Sequence, residues 1–265
     1  MAIKTYYLLK RYKDTAERNV PFYVENLTST AATLTVNTNI GDATNVEYST
    51  DNSTWSSTKP NVPANGRVYI RANATRWGNT NNNNIINCNR QFNIGGNTMS
   101  LLYGSSFTGT EISFPDTTKN GIFARMFANA TNLVSAEKLA LPATTLAQGC
   151  YSEMFFSCSA LTDSPALPAT TLAAGCYSAM FGYCTALTTA PALPATTLAD
   201  QCYYYTFRGC TNLNSVAVGA TSWNTLWTQS WLADVSATGT FKKPTNTTIP
   251  TNADGIPSGW TVVNV

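Results

Sequence analysis

Between residues 20 and 95 apolar and polar side chains alternate in short runs, such as Thr33-Leu34-Thr35-Val36-Asn37 and Arg67-Val68-Tyr69-Ile70-Arg71. Asn, Asp, Gly and Pro separate the runs, and a period of two bounded by turn residues predicts β-strands. Val46 to Trp55 reads as a hairpin turning at Asp51-Asn52. About six such runs predict a small immunoglobulin-like sandwich. Asn79 to Asn84 is a polar loop near its end.

From about residue 120 the pattern changes to a tandem repeat. Cys150-Tyr-Ser-Glu-Met154-Phe155-Phe-Ser-Cys158-Ser-Ala-Leu161 recurs as Cys176-Tyr-Ser-Ala-Met180-Phe181-Gly-Tyr-Cys184-Thr-Ala-Leu187, and again from Cys202 to Leu213. A degenerate first copy runs from Ile122 to Leu133, with Ala130 in place of a cysteine. Leu-Pro-Ala-Thr-Thr-Leu-Ala stands between copies at Leu141, Leu167 and Leu193. Periods of about 20–50 residues predict stacked repeats. Leu172, Cys176, Met180 and Cys184 are four apart and would line one stripe of a short helix, widened by Phe181, with Thr170 or Thr171 as its cap. The stretch from Leu187 to Leu193 contains Pro191 and should run extended beside its counterpart in the next coil.

The expected architecture therefore has two domains: an N-terminal all-β immunoglobulin-like sandwich over 19–100, then an α/β leucine-rich-repeat solenoid over 101–220. Residues 1–18 form either an attachment arm or an edge strand, and 221–265 form a C-terminal cap. Trp223, Trp227 and Trp231, spaced by four, would either hold a sugar ring or close the last coil, and the reading favours closure.

The pattern Phe-x-x-Cys-x-x-Leu followed by Leu-Pro resembles the BspA-type leucine-rich-repeat family, found in surface proteins of gut and oral bacteria. The lead-in Asn93 to Gly104 and the ending from Gly239 to Trp260 are similar to that group too, so the resemblance covers about 85–265. Similar repeats occur in bacteriophage virion proteins. The resemblance implies an α/β repeat fold and a role in adhesion.

Composition narrows the function. Charged residues make up 11% of the chain, the net charge is +2, and Thr, Asn, Ser and Ala fill the balance, so nucleic-acid binding is not expected. No export signal is visible at the start, because charge returns at Lys10 after Leu9, and no stretch approaches a membrane span. Of seven cysteines, six recur at matched positions, which points to small buried side chains; an odd number with no export signal argues against a disulfide framework, and the eight-residue separation within each pair is a poor match to zinc.

The chain has no histidine, which rules out Ser-His-Asp and Cys-His catalysis. A carboxylate pair of the glycosidase kind remains conceivable, but Glu153, Asp163 and Asp200 fall at unmatched repeat positions. The expectation is a non-enzyme with no cofactor and no metal: a virion structural protein (head fibre, capsid decoration or tail-associated) assembled in the host cytoplasm and present in several copies. The alternative is a secreted bacterial cell-surface adhesin. Ligand contacts are expected where the copies differ, at Phe156, Tyr183, Tyr204, Tyr205 and Arg208, which would meet a host surface glycan or protein. Docking to other virion proteins falls to the basic aromatic start, Lys4, Lys10, Arg11 and Lys13, or to the sandwich behind it.

Overall fold

The computed structural model describes residues 17–37, 42–78 and 85–265. The alternating runs form β1 (Tyr23–Asn26), β2 (Leu34–Val36), β3 (Thr44–Ser49), β4 (Arg67–Asn73), β5 (Ile86–Cys88) and β6 (Phe92–Asn97). One four-residue helix, α1 (Ser100–Tyr103), follows, and then β7 (Leu133–Ala140), β8 (Ser215–Ala217), β9 (Gly239–Lys243) and β10 (Trp260–Asn264). In β4 the period of two is plain: Val68, Ile70 and Ala72 are buried while Arg67, Tyr69 and Arg71 face outward.

Among the described residues the strands make three small sheets: β3-β4-β1-β6-β7, which is mixed, β10-β9-β8, which is parallel, and β2-β5, which is antiparallel. This corrects both halves of the expected architecture. Four N-terminal strands join one repeat-region strand, β7, in a single sheet through the parallel β6–β7 pair, instead of closing a separate immunoglobulin-like sandwich. The α/β leucine-rich-repeat solenoid is not formed either. No α-helix occurs in the repeats, and between β7 and β8 the strand side is reduced to isolated bridges such as Ser135 to Asp163 and Thr189 to Ser215.

In place of the expected helices the repeats carry ribbons of consecutive turns. In the segment 147–158, the N–H groups of Cys150, Ser152, Met154, Phe156 and Cys158 each bond the carbonyl three residues back. The N–H groups between them, on Gly149, Tyr151, Glu153, Phe155 and Ser157, bond carbonyls of the next copy, at Ala174, Cys176, Ser178, Met180 and Gly182. An α-helix would turn every amide back on its own chain; here half of them cross to the neighbouring ribbon. Every fourth residue has positive φ, a conformation a right-handed helix excludes: Gly149, Glu153 and Ser157, then Gly175, Ala179 and Tyr183.

The four-residue spacing in the sequence is real, but its cause is this turn period. Side chains follow it in pairs. Cys150, Tyr151, Met154, Phe155 and Cys158 are buried, and Ser152, Glu153, Phe156 and Ser157 lie on the outer side.

Like side chains pack over one another inside the ribbons. Phe127, Phe155, Phe181 and Phe207 stack with ring centroids 5.4, 5.4 and 5.5 Å apart, and Phe123, Tyr151, Tyr177 and Tyr203 form a second column. Each stacked pair adds roughly 0.5–1.5 kcal/mol beyond its buried area. The matched cysteines have a further use, since the thiols of Cys158, Cys184 and Cys210 donate to the carbonyls of Phe127, Phe155 and Phe181 in the preceding ribbon at 3.1, 3.1 and 3.0 Å.

The first ribbon is closed by the N-terminal strands, where Trp77 N–H and Gly78 N–H both donate to Ile122 O. Gly78 lies so close to the backbone of Gly121 and Ala124 that a Cβ has no room. At the other end Trp231 is fully buried against both columns, 5.9 Å from Tyr203 and 6.2 Å from Phe207.

Candidate functional site

The outward positions of the ribbons place the five residues singled out from the sequence on adjacent copies. Tyr183 N–H donates to Arg208 O at 2.7 Å, so these two residues sit side by side across a ribbon boundary. Phe156 meets Tyr183 edge-on, with centroids 5.4 Å apart and planes at 77°.

Both rings are laid flat by glycines one ribbon further on. Phe156 covers Gly182, where a Cβ would come within 3.0 Å of the ring, and Tyr183 covers Gly209, where the distance would be 2.5 Å. Since Gly182 and Gly209 are the repeat equivalents of Phe156 and Ser157 or Tyr183, the missing side chains are what admit the rings. Tyr183 stays 43% exposed, so one face of its ring is open to a ligand.

The last complete ribbon carries the polar part. Tyr204 and Tyr205 stack at 3.9 Å, and the Tyr205 hydroxyl beside it holds the Tyr204 phenol above its ordinary pKa. The Arg208 guanidinium lies over Tyr205 at 4.8 Å and approaches Asp234 no closer than 3.9 Å. Its Nε is buried without a hydrogen-bond partner, with the Asp234 carboxylate at the outer limit of an ion pair. On the first two ribbons the same face is closed by Arg125 and Glu153, paired at 2.6 Å. Asp234 was not foreseen from the sequence, because it stands in the irregular run after the last repeat, where alignment of the copies gives no register.

The other expected sites fare differently. Lys4, Lys10, Arg11 and Lys13 lie outside the described residues, as do Asn79 to Asn84. Trp223, Trp227 and Trp231 are not on a helix. Trp223 and Trp231 donate their ring N–H to the carbonyls of Asp254 and Gly255, so their polar edges are turned inward and occupied.

The repeated thiols are buried, and burial pushes Cys158, Cys202 and Cys210 up to about 12 and the other three higher still or in the same direction. Such thiols stay protonated at neutral pH and are poor nucleophiles. Among the described residues no group of three or more Cys, Asp or Glu is placed to hold a metal ion, and no helix is long and apolar enough to cross a membrane. No family model, no curated protein and no solved structure matches the chain.

Proposed function

We propose that this chain is a non-enzymatic structural component of a virion, a head fibre, capsid decoration or tail-associated protein, that displays its repeat stack for adhesion to host-surface or gut glycans. The observation that carries the reading is the exposed ring of Tyr183, packed between Phe156 and Gly209 beside the Arg208 guanidinium, which lies over the Tyr205 ring. A flat aromatic face suits the apolar face of a sugar ring, and a guanidinium fork suits its hydroxyls or carboxylate. Because the ribbons bond to one another through their main chain, the platform is ordered before a ligand arrives and little entropy is lost on binding. One such site is weak, and repetition on a particle multiplies it by avidity. The virion setting is supported by the resemblance of the repeats to phage virion proteins.

The test is a glycan array and a host-cell attachment assay with the chain and its Tyr183→Ala, Tyr205→Ala, Arg208→Ala triple variant. Binding should fall at least tenfold with the melting temperature unchanged, and deletion of residues 1–18 should release the chain from purified particles. Equal binding by the triple variant, or full particle occupancy by the truncated chain, would remove the assignment.

A further inference from the structure

The strand side of the molecule has two ends, and they are finished differently. At one end the sheet runs from β7 through β6, β1 and β4 to β3. That edge is closed: Tyr48 and Ser56 exchange both main-chain hydrogen bonds, at 2.8 and 3.0 Å. Glu47 places a charge there, and Asn45, at φ 50°, sits where the register shifts. A charge, a kink and a covering segment are the usual protections of an edge strand.

At the other end the parallel ladder passes from Ser215 to Thr240 and from Thr240 to Thr261. The turn side of this end is covered. Ser230 N–H donates to the Asp254 carboxylate at 2.6 Å, and Trp231 Nε1 donates to Gly255 O at 2.8 Å. The strand side is not, since no described strand lies on the outer side of β10.

The direction of the β10 main chain is fixed by Val265, whose N–H donates to Lys243 O on β9 at 3.0 Å. In a parallel pair alternate residues bond the neighbour, so the N–H and C=O of Val262 and Asn264 point away from β9. Trp260 to Val265 contains no charged residue and no proline. Val262, Val263 and Val265 are 42%, 37% and 44% exposed, the first on one face of the strand and the other two on the opposite face.

We infer that β10 is the pairing edge for a second copy of this chain, joined antiparallel about a two-fold axis. Head-to-tail growth is blocked, because the β3 edge that would receive β10 is bent, charged and already paired. The edge that matches β10 is β10 itself, and an isologous contact of this kind closes as a dimer. The geometry restricts the register. Outward-facing even residues must oppose even residues, so the axis passes through Val262 or through Val263. In the first register the Asn264 amide meets the Trp260 carbonyl of the second strand, and in the second it meets the Val262 carbonyl. Trp260 N–H is already spent on Pro257 O, so the first register lacks its bond to the Asn264 carbonyl, whereas the second does not use it. In the first register Val262 faces its own counterpart and Val263 faces Thr261; in the second Val263 faces its own counterpart and Val265 faces Thr261.

Sedimentation of the full chain at about 100 μM is expected to show a dimer. Val262→Pro removes an outward N–H and leaves the odd-numbered bonds to β9 in place. It should weaken the dimer at least tenfold at an unchanged melting temperature.

A second readout does not depend on that variant folding well. Paired residues on the axis have Cα atoms about 4.5–5.5 Å apart, within disulfide range. Val262→Cys or Val263→Cys should therefore oxidise to a covalent dimer while the buried native thiols stay silent. Val265→Cys, displaced from its counterpart by roughly 13 Å or more along the strand, should not. A parent chain that stays monomeric overturns the inference, and so does a Val262→Pro dimer as strong as the parent, or cross-linking as fast through position 265.

Discussion

In the N-terminal sheet the outward side chains are tied down, whereas in the ribbons most are not. Arg67 pairs with Glu25 at 2.8 Å and lies over Tyr23; Arg71 pairs with Glu47 at 2.7 Å and lies over Trp55. Both outward arginines of β4 are thus held in ion pairs. In the ribbons cohesion comes from the main-chain ladder and from the stacked interior, neither of which uses the outward positions. Those positions are free to carry Glu153 in one copy, Ala179 in the next and Tyr205 in the third without disturbing the stack. A scaffold that bonds through its backbone can change its surface one copy at a time, and the open aromatic group sits on that part of the molecule.

The contrast should be widest in alkali. Six of the seven cysteines are buried in the ribbons, together with Tyr151 and Tyr177, whose phenols burial also holds well above the ordinary value. A thiol at about 9 in the unfolded chain and about 12 in the folded one releases its proton from the unfolded state first. The stabilisation is therefore complete below pH 9 and is lost as pH rises toward 12. Melting temperature measured from pH 8 to about pH 11 should fall steeply, with thiol labelling and phenolate absorbance appearing together at the transition. A flat profile would mean that the thiols are not buried as a group.

A smaller but more local effect is expected from the aromatic column. Phe181 is fully buried between Phe155 and Phe207, so Phe181→Ala removes two stacking contacts and leaves a cavity in the middle of the stack. The cost should be about 3–5 kcal/mol. In chemical denaturation the midpoint should drop accordingly. By contrast, Arg125→Ala, which breaks a half-buried pair on the outer side, should cost less, on the order of 1 kcal/mol.

How much of this was legible in the sequence depends on which spacing is considered. The strand period in Arg67 to Arg71 can be read directly, because alternation by two has one structural meaning. Leu172, Cys176, Met180 and Cys184 are four apart, which fits a helix of 3.6 residues per turn and a ribbon of four-residue turns about equally well. The signal that separates them lies in other residues. Gly121, Gly149 and Gly175 head successive ribbons at matched positions, and Asn129 and Gly209 stand at matched positions further along; all have positive φ. Glycine and asparagine recurring at multiples of four within a repeat argue for left-handed turn residues and against a helix.

The pairing of Phe156 over Gly182 and Tyr183 over Gly209 was partly visible, since the alignment makes those positions equivalent. That the rings would lie down into the glycine gaps depends on the inter-ribbon distance, which the wrong secondary structure concealed. Asp234 lay beyond the aligned copies altogether.

The turn ribbon itself can be tested by the smallest of the effects. Ala179 has φ 49°, in the left-handed region where a Cβ crowds the following carbonyl and costs about 1–2 kcal/mol. Its methyl is buried but small, and its carbonyl accepts from Gly182 N–H at 3.0 Å through the main chain, a bond that any residue can make. In a helix, Ala179→Gly would destabilise by roughly 1 kcal/mol, because glycine has more freedom to lose. In the ribbon relief of the left-handed strain opposes that loss, so Ala179→Gly should be neutral or stabilising by up to about 1 kcal/mol. The reverse change, Gly175→Ala at φ 60°, should destabilise by about 1 kcal/mol. Open space around that glycine excludes a steric clash as the cause, since its nearest neighbour is Ser178 Cβ at 4.0 Å. Melting temperatures of the two variants moving in opposite directions would establish the turn conformation; Ala179→Gly destabilising and Gly175→Ala stabilising would restore the helix.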